Sequence, residues 1–459
     1  MKLFDMEEGE IRRALRDGKI KVSVYGLGHV GSPILAAWLQ AGASGIGVDV
    51  DEGKVLKLNR GESPVDEPCL TDVFRKALEE GRLKATSDGE WASRETHVKI
   101  IAVPTLIDDE GKPNLDALRS AAESIASGLK EGDLVILESS VPPGTTREVL
   151  KPILEELSGL QAGKDFGLAY SPERISEGRA LRDIVESYPK VVGGIDAKST
   201  EVAASLYSLV VKRGVIKLSS DLAAELEKLA EGIYRDVNIA LANEIAALCR
   251  RLGVDYDEVR MAANSQPHSH LHKPGTGVGG LCIPVYPRFL IWKAKDLGME
   301  LPLTAIARTI NENMPAEVSR LVREGMKRLG ISDPKLAILG LAFRGDVPDS
   351  RLSPTYDLIN HMFSMGIREI VVHDPMIRED VKLDEIGVPL TNDLIEALGG
   401  ADIAVISTDH SVYRMKSSEM FQLSDKLRLI VDGRHVIEVD SLPSGVLYVG
   451  VGRPWREGG

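Results

Sequence analysis

The chain has 459 residues, of which 43% are hydrophobic and 27% are charged, and its formal net charge is -13. This length predicts two or three domains of about 100 to 200 residues each, and the composition is that of a globular protein, not a disordered one. The excess of acidic residues argues against a nucleic acid or an anionic membrane as partner, although a phosphate pocket needs only a few local cations.

We expect no targeting signal in the N-terminal segment. Residues 1–13 are acidic and lack the apolar stretch of a signal peptide or a membrane helix. The three cysteines lie far apart in the sequence and show no CxxC spacing, which is typical of a reducing compartment. We therefore expect a cytoplasmic protein.

A strand, a glycine turn and a helix follow a short charged helix over 7–16. Residues 20–25 predict a buried strand, GLGHVG occupies 26–31, and 33–39 predict an apolar helix. The next predicted strand covers 46–50 and ends in acidic residues about 20 positions beyond the turn. This order and spacing are typical of a dinucleotide-binding fold.

In such a fold each glycine has its own task. Gly26 allows the tight turn, Gly28 leaves room for a pyrophosphate, and Gly31 allows close packing of helix on strand. Asp49 is then placed to bind the ribose hydroxyls of the adenosine. A carboxylate there would repel the 2′-phosphate of NADP, so the sequence predicts NAD as the cofactor.

Further strands at 98–103 and 134–138 predict that the first 200 or so residues form a doubly wound parallel sheet. The segment ESSVPPGTT at 138–146 offers hydroxyls and N–H groups at a helix start, where phosphate or ribose can bind; an ordinary strand-to-helix turn has the same residues. Glu173 and Glu177 stand four apart and share a face if helical, although such pairs usually face solvent.

Apolar residues recur at helical spacing over 221–252, and Gly253 follows. A helix of this length spans about 45 Å, so it bridges two domains and offers a surface to a second subunit. Lys228 lies among apolar residues, where its ammonium is either partly desolvated and able to stabilise an oxyanion or extended to water. Gly232 lies one turn further on, where glycine lowers helix stability by about 1 kcal/mol relative to alanine. A compensating contact is therefore expected there, unless the glycine is a simple loss.

A single cysteine ends a glycine-dense loop, PGTGVGGLCIP at 274–284. Glycines let the backbone lie close to a bulky ligand, which would place the sulfur of Cys282 beside that ligand. Cys282 is therefore predicted to be a catalytic thiol. Cys69 and Cys249 have no such surroundings. The alternating His268, His270 and His272 would share a face of an extended segment, but no further ligand is evident and we expect no metal.

The strand–helix alternation resumes in the last third of the chain. Strands are predicted at 336–343, 370–373, 403–407 and 429–432, with a helix at 354–365. The first of these strands ends in Gly-Leu-Ala and lacks the three-glycine turn, so no second dinucleotide is predicted. The fold class is α/β, with two Rossmann-like doubly wound domains joined by a long central helix. The predicted domains are 1–208 for NAD binding, 209–315 for the helix and the cysteine loop, and 316–459 for the substrate.

Together these motifs resemble the nucleotide-sugar 6-dehydrogenases. The matching pieces, in chain order, are GLGHVG, VPT at 103–105, ESSVPPGTT, SPER, KLAE with YRDVN on the helix, the cysteine loop, and GLAFR followed by RLSP. The resemblance covers nearly the whole chain, and the cysteine loop and the YRDVNIALANE text are nearer the acetamido-sugar branch of the family, the UDP-N-acetylmannosamine dehydrogenases.

The resemblance implies a four-electron oxidation of the C6 alcohol of a UDP-sugar to a carboxylate, with two NAD per turnover. Cys282 would hold the intermediate as a thiohemiacetal and then a thioester. Glu173 would be the base for thioester hydrolysis, Lys228 the oxyanion stabiliser and Glu177 a supporting acid. A homodimer formed through the central helix is expected, with no nucleic-acid or membrane partner.

The resemblance also implies binding residues. The cofactor set is Gly26, Gly28, Val30, Gly31, Asp49, Thr105 and Ser140. The substrate set is Arg235, His272, Gly279, Phe343, Arg344 and Arg351. Arg344 and Arg351 would meet the UDP moiety or the neighbouring subunit, where an Arg fork suits phosphate.

The sequence departs from the family pattern beside the thiol. The family usually has an aspartate four residues after the cysteine and an asparagine four after the helix lysine; here Tyr286 and Gly232 occupy these positions. Leu281 also replaces a polar residue, Ser140 a threonine and Cys69 a glycine. Losing an acid and an amide commonly costs two or more orders of magnitude in rate.

Three alternatives remain open at this point. The first is an active dehydrogenase whose substrate is UDP-N-acetyl-D-mannosamine or, alternatively, UDP-glucose or UDP-N-acetylglucosamine. A catalytically impaired homologue that binds NAD and a UDP-sugar is the second alternative. Another NAD-dependent oxidoreductase, such as a hydroxy-acid dehydrogenase, is the third, but it has no need of Cys282.

Overall fold

The computed structural model describes residues 1–108, 111–415 and 423–458. The chain divides into two compact units. The first unit contains Met1–Glu231 and Arg288–Gly298, and the second contains Gly232–Pro287 and Met299–Gly459.

The first unit is built on a mostly parallel sheet. Its strands are β1 (Lys21–Tyr25), β2 (Ser44–Val48), β3 (Leu83–Thr86), β4 (Val98–Ile101), β5 (Leu106–Ile107), β6 (Pro113–Asn114), β7 (Leu134–Leu137), β8 (Gly167–Tyr170), β9 (Lys190–Gly194) and β10 (Val215–Lys217). In the described part of the chain, the sheet order is β10-β9-β8-β7-β4-β1-β2-β3, and β5 pairs separately with β6. Neighbouring strands of the sheet are parallel except β8 and β9, which are antiparallel.

Helices cover both faces of this sheet. They are α1 (Glu8–Arg16), α2 (Gly31–Gln40), α3 (Glu52–Asn59), α4 (Leu70–Glu79), α5 (Gly89–Glu95), α6 (Asp116–Gly128), α7 (Lys151–Ser158), α8 (Ala180–Arg182) and α9 (Ala197–Val210). Helices α1, α2 and α9 bury apolar side chains in one core layer, and α5, α6 and α7 bury theirs in another. A sheet covered on both faces explains why its strands are continuous apolar runs.

The long helix α10 covers Asp221–Leu252, as predicted from the apolar spacing. Gly253 follows its last residue, and the φ of +78° at Gly253 is a left-handed conformation that favours glycine. The helix begins in the first unit, and its residues from Gly232 onward belong to the second. The helices that follow are α11 (Tyr256–Ala263), α12 (Tyr286–Asp296), α13 (Pro302–Glu312) and α14 (Met314–Leu329).

The second unit contains another mostly parallel sheet. Its strands are β11 (Leu336–Leu339), β12 (Ile370–His373), β13 (Leu390–Thr391), β14 (Ile403–Ile406), β15 (Leu429–Asp432), β16 (Leu447–Gly450) and β17 (Arg453–Glu457). Its helices after β11 are α15 (Pro354–Ser364), α16 (Val381–Glu385), α17 (Leu394–Leu398) and α18 (Ser411–Met415). Across the described residues the order is β13-β12-β11-β14-β15-β16-β17, and β17 is antiparallel to β16.

The predicted fold class is confirmed, with two α/β sheets and a long central helix. Individual boundaries differ: β2 ends at Val48 because Val50 points to solvent at 92% exposure, and β11 ends at Leu339, before the turn predicted as strand. The antiparallel pairing of β9 was not predicted. The domain boundaries near 208 and 315 stay a prediction. Among the described helices, none combines the length and apolarity needed to cross a membrane.

Candidate active site

The turn after β1 contains two glycines that have no room for a side chain. Gly26 has a φ of +97°, and a Cβ there would lie 2.5 Å from the carbonyl oxygen of Ala102. A Cβ at Gly31 would lie 1.8 Å from the carbonyl oxygen of Gly26. Both distances are below the 3.0 Å that real Cβ atoms respect. These positions therefore need glycine for the turn itself, whether or not a ligand is bound.

Gly28, between them, is different. Its Cβ position has no neighbouring heavy atom within 4 Å. Val30 follows as the N-cap of α2, whose first N–H groups and dipole favour an anion. The open space at Gly28 and the helix start therefore fit the pyrophosphate of NAD.

Asp49 follows β2 and directs its carboxylate at the same turn. Its Oδ2 accepts a hydrogen bond from the N–H of Leu27 at 2.7 Å, and its Oδ1 accepts one from the N–H of Asp51 at 2.9 Å. The ammonium of Lys54 lies 3.2 Å from Oδ2. These contacts fix the carboxylate beside the turn, where the ribose hydroxyls of a dinucleotide bind.

Thr105 and Ser140 follow the neighbouring strands β4 and β7. The hydroxyl of Thr105 donates a hydrogen bond to the carbonyl oxygen of Ser140, and both residues are half-buried. The two segments predicted to contact the cofactor are thus joined at the carboxyl edge of the sheet, where α/β folds bind their ligands.

Lys228 and Glu173 form a buried pair in the first unit. The lysine is 6% exposed; its ammonium donates a hydrogen bond to the carbonyl oxygen of Glu173 and lies 3.7 Å from Oε2 of the same residue. Glu173 is 8% exposed, and its Oε1 accepts the N–H of Ile175. Lys228 therefore does not extend to water. A desolvated ammonium beside a carboxylate suits an oxyanion stabiliser and a base.

Glu177 lies beside the glycine turn. Its Oε1 is 4.0 Å from Nδ1 of His29, the residue between Gly28 and Val30. The segment 171–176 is not helical, so the spacing of four between Glu173 and Glu177 does not put them on one helix face.

In the second unit, the thiol of Cys282 is exposed and its backbone is anchored. Its carbonyl oxygen accepts hydrogen bonds from the N–H groups of Val285 at 3.1 Å and Tyr286 at 3.0 Å. These bonds lead directly into α12. Cys249 is buried and Cys69 is exposed at the start of α4.

The glycines of the cysteine loop fit the loop to its own unit. A Cβ at Gly279 would lie 2.5 Å from the carbonyl oxygen of Leu352 and 2.7 Å from Cβ of Phe343. A Cβ at Gly280 would lie 2.9 Å from the Phe343 ring, and one at Gly277 would lie 2.7 Å from Pro354. Close packing against other residues of the same unit therefore accounts for these glycines. The sequence had suggested that they make room for a ligand.

The predicted substrate residues are distributed over the second unit. Gly279 and Phe343 are in contact, and the N–H of Gly280 donates to the carbonyl oxygen of Arg351 at 3.0 Å. The guanidinium of Arg351 is bound by Asp349, with Nε at 2.8 Å from Oδ1. Arg344 is exposed.

Arg235 and His272 belong to another part of the same unit. Arg235 is an exposed residue of α10, and the His272 ring packs edge-on against Tyr234 with centroids 6.0 Å apart. Burial, followed by the charges of His270 and Arg235, lowers the pKa of His272 below its ordinary value. The Nε2 atom of His272 is buried and has no hydrogen-bond partner among the described residues.

Three domain models of the UDP-glucose/GDP-mannose dehydrogenase family match the chain. The NAD binding domain matches residues 20–211, the central domain 222–313 and the UDP binding domain 337–439. The chain belongs to this family. It is an NAD-dependent oxidoreductase, so the family, the enzyme class and the cofactor predicted from the sequence are confirmed.

Relatives match over almost the full length. A UDP-N-acetyl-D-mannosamine dehydrogenase of Pyrococcus horikoshii is 35% identical over 437 residues, which cover 95% of this chain and 99% of the relative. The solved structure of the P. horikoshii enzyme matches with a TM-score of 0.86 at 34% identity, over 95% of this chain and 99% of that one. An NDP-N-acetyl-D-galactosaminuronic acid dehydrogenase of Methanosarcina mazei matches with a TM-score of 0.82 at 33% identity, over 98% of both chains.

Several residues that shape the site were missed in the sequence. Lys54 is one, because its position five residues after Asp49 was the only sequence signal that it contacts the acid. Asn243 is another: its Oδ1 accepts the N–H of Gly275 at 2.9 Å, and its Nδ2 donates to Asn311. Its position on the buried face of α10, seven residues after the buried Asp236, was the available signal.

Arg434 was also missed. It follows β15, donates from Nε to the carbonyl oxygen of Ser407 at 2.9 Å, and has its Nη1 2.6 Å from the Cβ position of Gly275. Burial lowers the pKa of this guanidinium from its ordinary value. Arg434 is half-buried at the carboxyl edge of the second sheet, where a guanidinium is a candidate phosphate ligand.

Proposed function

We propose that this protein oxidises the C6 alcohol of a UDP-sugar to the uronate in two NAD-dependent steps, with Cys282 as the covalent nucleophile. The family and its UDP binding domain support the substrate class. The buried Lys228–Glu173 pair carries the most weight for the chemistry, because an ammonium shielded from water stabilises a developing negative charge more strongly than one in water.

NAD, which the turn at Gly28 and the carboxylate of Asp49 would hold, would supply the hydride acceptor for both oxidations at C6. The alcohol first becomes an aldehyde. The sulfur of Cys282 then adds to the aldehyde carbon, and the resulting C–S bond turns the aldehyde into a thiohemiacetal that carries the second hydride. Loss of that hydride and of the hydroxyl proton leaves a thioester on Cys282.

Hydrolysis completes the sequence. Glu173 takes a proton from water, and the water oxygen adds to the thioester carbon. The C–S bond then breaks, and the proton held by Glu173 passes to the sulfur and restores the thiol. Lys228 stabilises the negative charge that develops on the carbonyl oxygen. Per turnover, one alcohol, one water and two NAD⁺ give one carboxylate, two NADH and three protons.

We propose UDP-N-acetyl-D-mannosamine as the sugar. The relative from P. horikoshii carries that substrate in its name at 35% identity, and several further relatives of this name are between 31% and 36% identical. UDP-glucose and UDP-N-acetylglucosamine are the alternatives, and the M. mazei relative adds an N-acetylgalactosamine derivative to the acetamido sugars worth testing.

One observation favours a second candidate function, a homologue that binds NAD and a UDP-sugar without completing the oxidation. Tyr286 and Gly232 stand where the family usually has an acid and an amide. The retention of Cys282, Lys228 and Glu173 favours the active enzyme.

The test is the amount of NADH formed per UDP-sugar by the wild-type chain, Cys282→Ala and Cys69→Ser. We expect two NADH per UDP-N-acetyl-D-mannosamine from the wild type, none from Cys282→Ala, and two from Cys69→Ser, which removes the other exposed cysteine. Full turnover by Cys282→Ala would contradict the proposal. Stabilisation by NAD and UDP-sugar without any NADH would favour the second candidate.

We also propose that the protein is a homodimer formed through α10. Tyr234, Leu241, Leu248 and Leu252 occupy one face of the helix and are 52%, 43%, 56% and 68% exposed. Such a row of exposed apolar residues is typical of a subunit contact. Light scattering should give a dimer for the wild type, a monomer for Leu248→Glu, and a dimer for the control Leu157→Glu, whose leucine is exposed on α7. A monomeric wild type would contradict this.

A further inference from the structure

Gly232 of α10 and Tyr286, the first residue of α12, are in direct contact. A Cβ at position 232 would lie 2.3 Å from Cδ2 of the Tyr286 ring and 3.3 Å from its Cγ and Cε2. Real Cβ atoms do not approach heavy atoms within 3.0 Å. With the ring in this place, position 232 therefore accepts no residue other than glycine.

This contact accounts for a glycine that is otherwise unfavourable. Glycine inside a helix costs about 1 kcal/mol relative to alanine. Here it lets an aromatic ring lie against the helix backbone, and Tyr286 is 3% exposed as a result. Burial of a ring contributes more than the glycine costs, since an aromatic side chain buries about 150 to 250 Å².

The two departures from the family pattern are thus linked. Tyr286 replaces the usual acid four residues after the cysteine, and Gly232 replaces the usual amide on the helix. The tyrosine ring fills the space that a side chain at 232 would take. Each substitution makes sense only in the presence of the other.

The pair is connected to the thiol through the backbone. The N–H of Tyr286 donates to the carbonyl oxygen of Cys282 at 3.0 Å, and the N–H of Val285 donates to the same oxygen at 3.1 Å. The turn that holds Cys282 therefore ends at the residue whose ring is fixed against Gly232. The contact restrains the backbone of Cys282 and leaves its thiol exposed.

We infer that Tyr286, packed on Gly232, is the positioning residue of Cys282 in this chain, and that its ring takes the place of the polar pair found elsewhere in the family. This inference rests on the proposed function. It predicts that neither position tolerates the family residue while the other is unchanged. An asparagine at 232 would overlap the ring of Tyr286. An aspartate at 286 would leave the face of α10 at Gly232 uncovered.

The experiment is a double-mutant cycle with Gly232→Ala, Tyr286→Asp and the combination, plus Tyr286→Phe as the matched control. Two readouts need no substrate: the melting temperature, and the rate at which iodoacetamide alkylates Cys282, followed by mass spectrometry so that Cys69 is scored separately. The third readout is turnover of the UDP-sugar.

We expect Gly232→Ala to lower the melting temperature by several degrees and to change the alkylation rate of Cys282 by about fivefold or more, since a buried methyl group is forced into a ring. In the Tyr286→Asp background the same substitution should have little effect, because the ring is gone. Tyr286→Phe should keep the alkylation rate within about twofold. In turnover, Gly232→Ala should lower kcat and leave the KM for NAD unchanged.

Additive effects in the cycle would overturn the inference, and so would a Tyr286→Phe variant whose Cys282 is altered as much as in Tyr286→Asp, since the hydroxyl and not the ring would then be responsible. Failure of the proposed function is distinguishable. In that case the wild type gives no NADH while the cycle in melting temperature and alkylation still shows coupling.

Discussion

The turn after β1 and the turn after β11 have the same local construction. In the first, Gly26 has a φ of +97° and its N–H donates to the carbonyl oxygen of the residue before Asp49. In the second, Gly340 has a φ of +104° and its N–H donates to the carbonyl oxygen of His373, the residue before Asp374. In each turn the acid accepts the N–H of the leucine that follows the glycine.

Their surroundings differ. Gly28 has open space around its Cβ position, whereas its counterpart Ala342 is 1% exposed and accepts a hydrogen bond from Thr408. Asp374 is fully buried and accepts hydrogen bonds from two N–H groups on each oxygen as well as contacting His410 at 3.1 Å. The turn in the second unit is thus closed by protein atoms, whereas the turn in the first unit has open space at Gly28. We propose that this open space is what makes the first turn a ligand site.

The largest expected effect is a difference in stability between alanine variants of Gly31, which is closely packed in the first turn, and of Gly28, which has open space. Gly31→Ala puts a Cβ 1.8 Å from a backbone oxygen, and we expect a loss of about 3 kcal/mol or more in the free energy of unfolding. Gly28→Ala should change stability by less than about 1 kcal/mol. Urea denaturation of both variants without NAD measures this. Equal losses would mean that the space at Gly28 is not open.

The two acids give the next contrast. Asp374→Asn removes a buried charge that several donors surround, and we expect a loss of about 2 to 3 kcal/mol in stability. Asp49→Asn should cost less than about 1 kcal/mol in stability and instead weaken NAD binding about tenfold or more. Melting curves and NAD titrations of both variants test the contrast. It fails if Asp49→Asn proves the more destabilising of the two.

Stability in acid should depend on Asp374. Burial raises the pKa of this carboxyl, but hydrogen bonds from His410 and from backbone N–H groups outweigh burial and lower the folded-state pKa below its ordinary value. The resulting stabilisation is complete above the unfolded pKa of about 3.9 and is lost as the pH falls through the folded-state value. Asp374→Asn should therefore lose stability at pH 6 and lose less relative to wild type near pH 3. A constant difference between the two pH values would contradict this assignment.

The smallest expected effect concerns Lys54. Its ammonium lies 3.2 Å from Oδ2 of Asp49 and supports the carboxylate that we propose binds the ribose. Lys54→Met should weaken NAD binding about threefold to tenfold with little change in stability, because the side chain is partly exposed and such pairs contribute about 1 kcal/mol or less. Fluorescence titration with NADH provides the measurement. Unchanged affinity would remove Lys54 from the cofactor site.

Local signals were sufficient for much of this structure. The helix at 221–252 and the strands at 370–373 and 429–432 were predicted with their bounds, because apolar spacing and the glycine after the helix are local features. The dinucleotide turn and Asp49 were predicted for the same reason. The direction of β9 was not, since the residues of a strand do not encode which way its neighbour runs.

Contacts between segments that are distant in the chain could not be predicted from the sequence. The role of the glycines in the cysteine loop depends on Phe343 and Leu352, and the reason for Gly232 depends on Tyr286. Cys69 shows the converse. The family usually has glycine there, and Cys69 adopts a left-handed conformation with a φ of +68°, which favours glycine.

Calorimetric titration of the full chain with NAD tests the central claim most directly, namely that the open turn beside Gly28 is the dinucleotide site and the closed turn at Gly340 is not. One NAD per chain is expected for the wild type, one for Ala342→Ser, and none for Gly28→Val, whose side chain would occupy the space for the pyrophosphate. Two NAD per chain, or undiminished binding by a folded Gly28→Val, would contradict it.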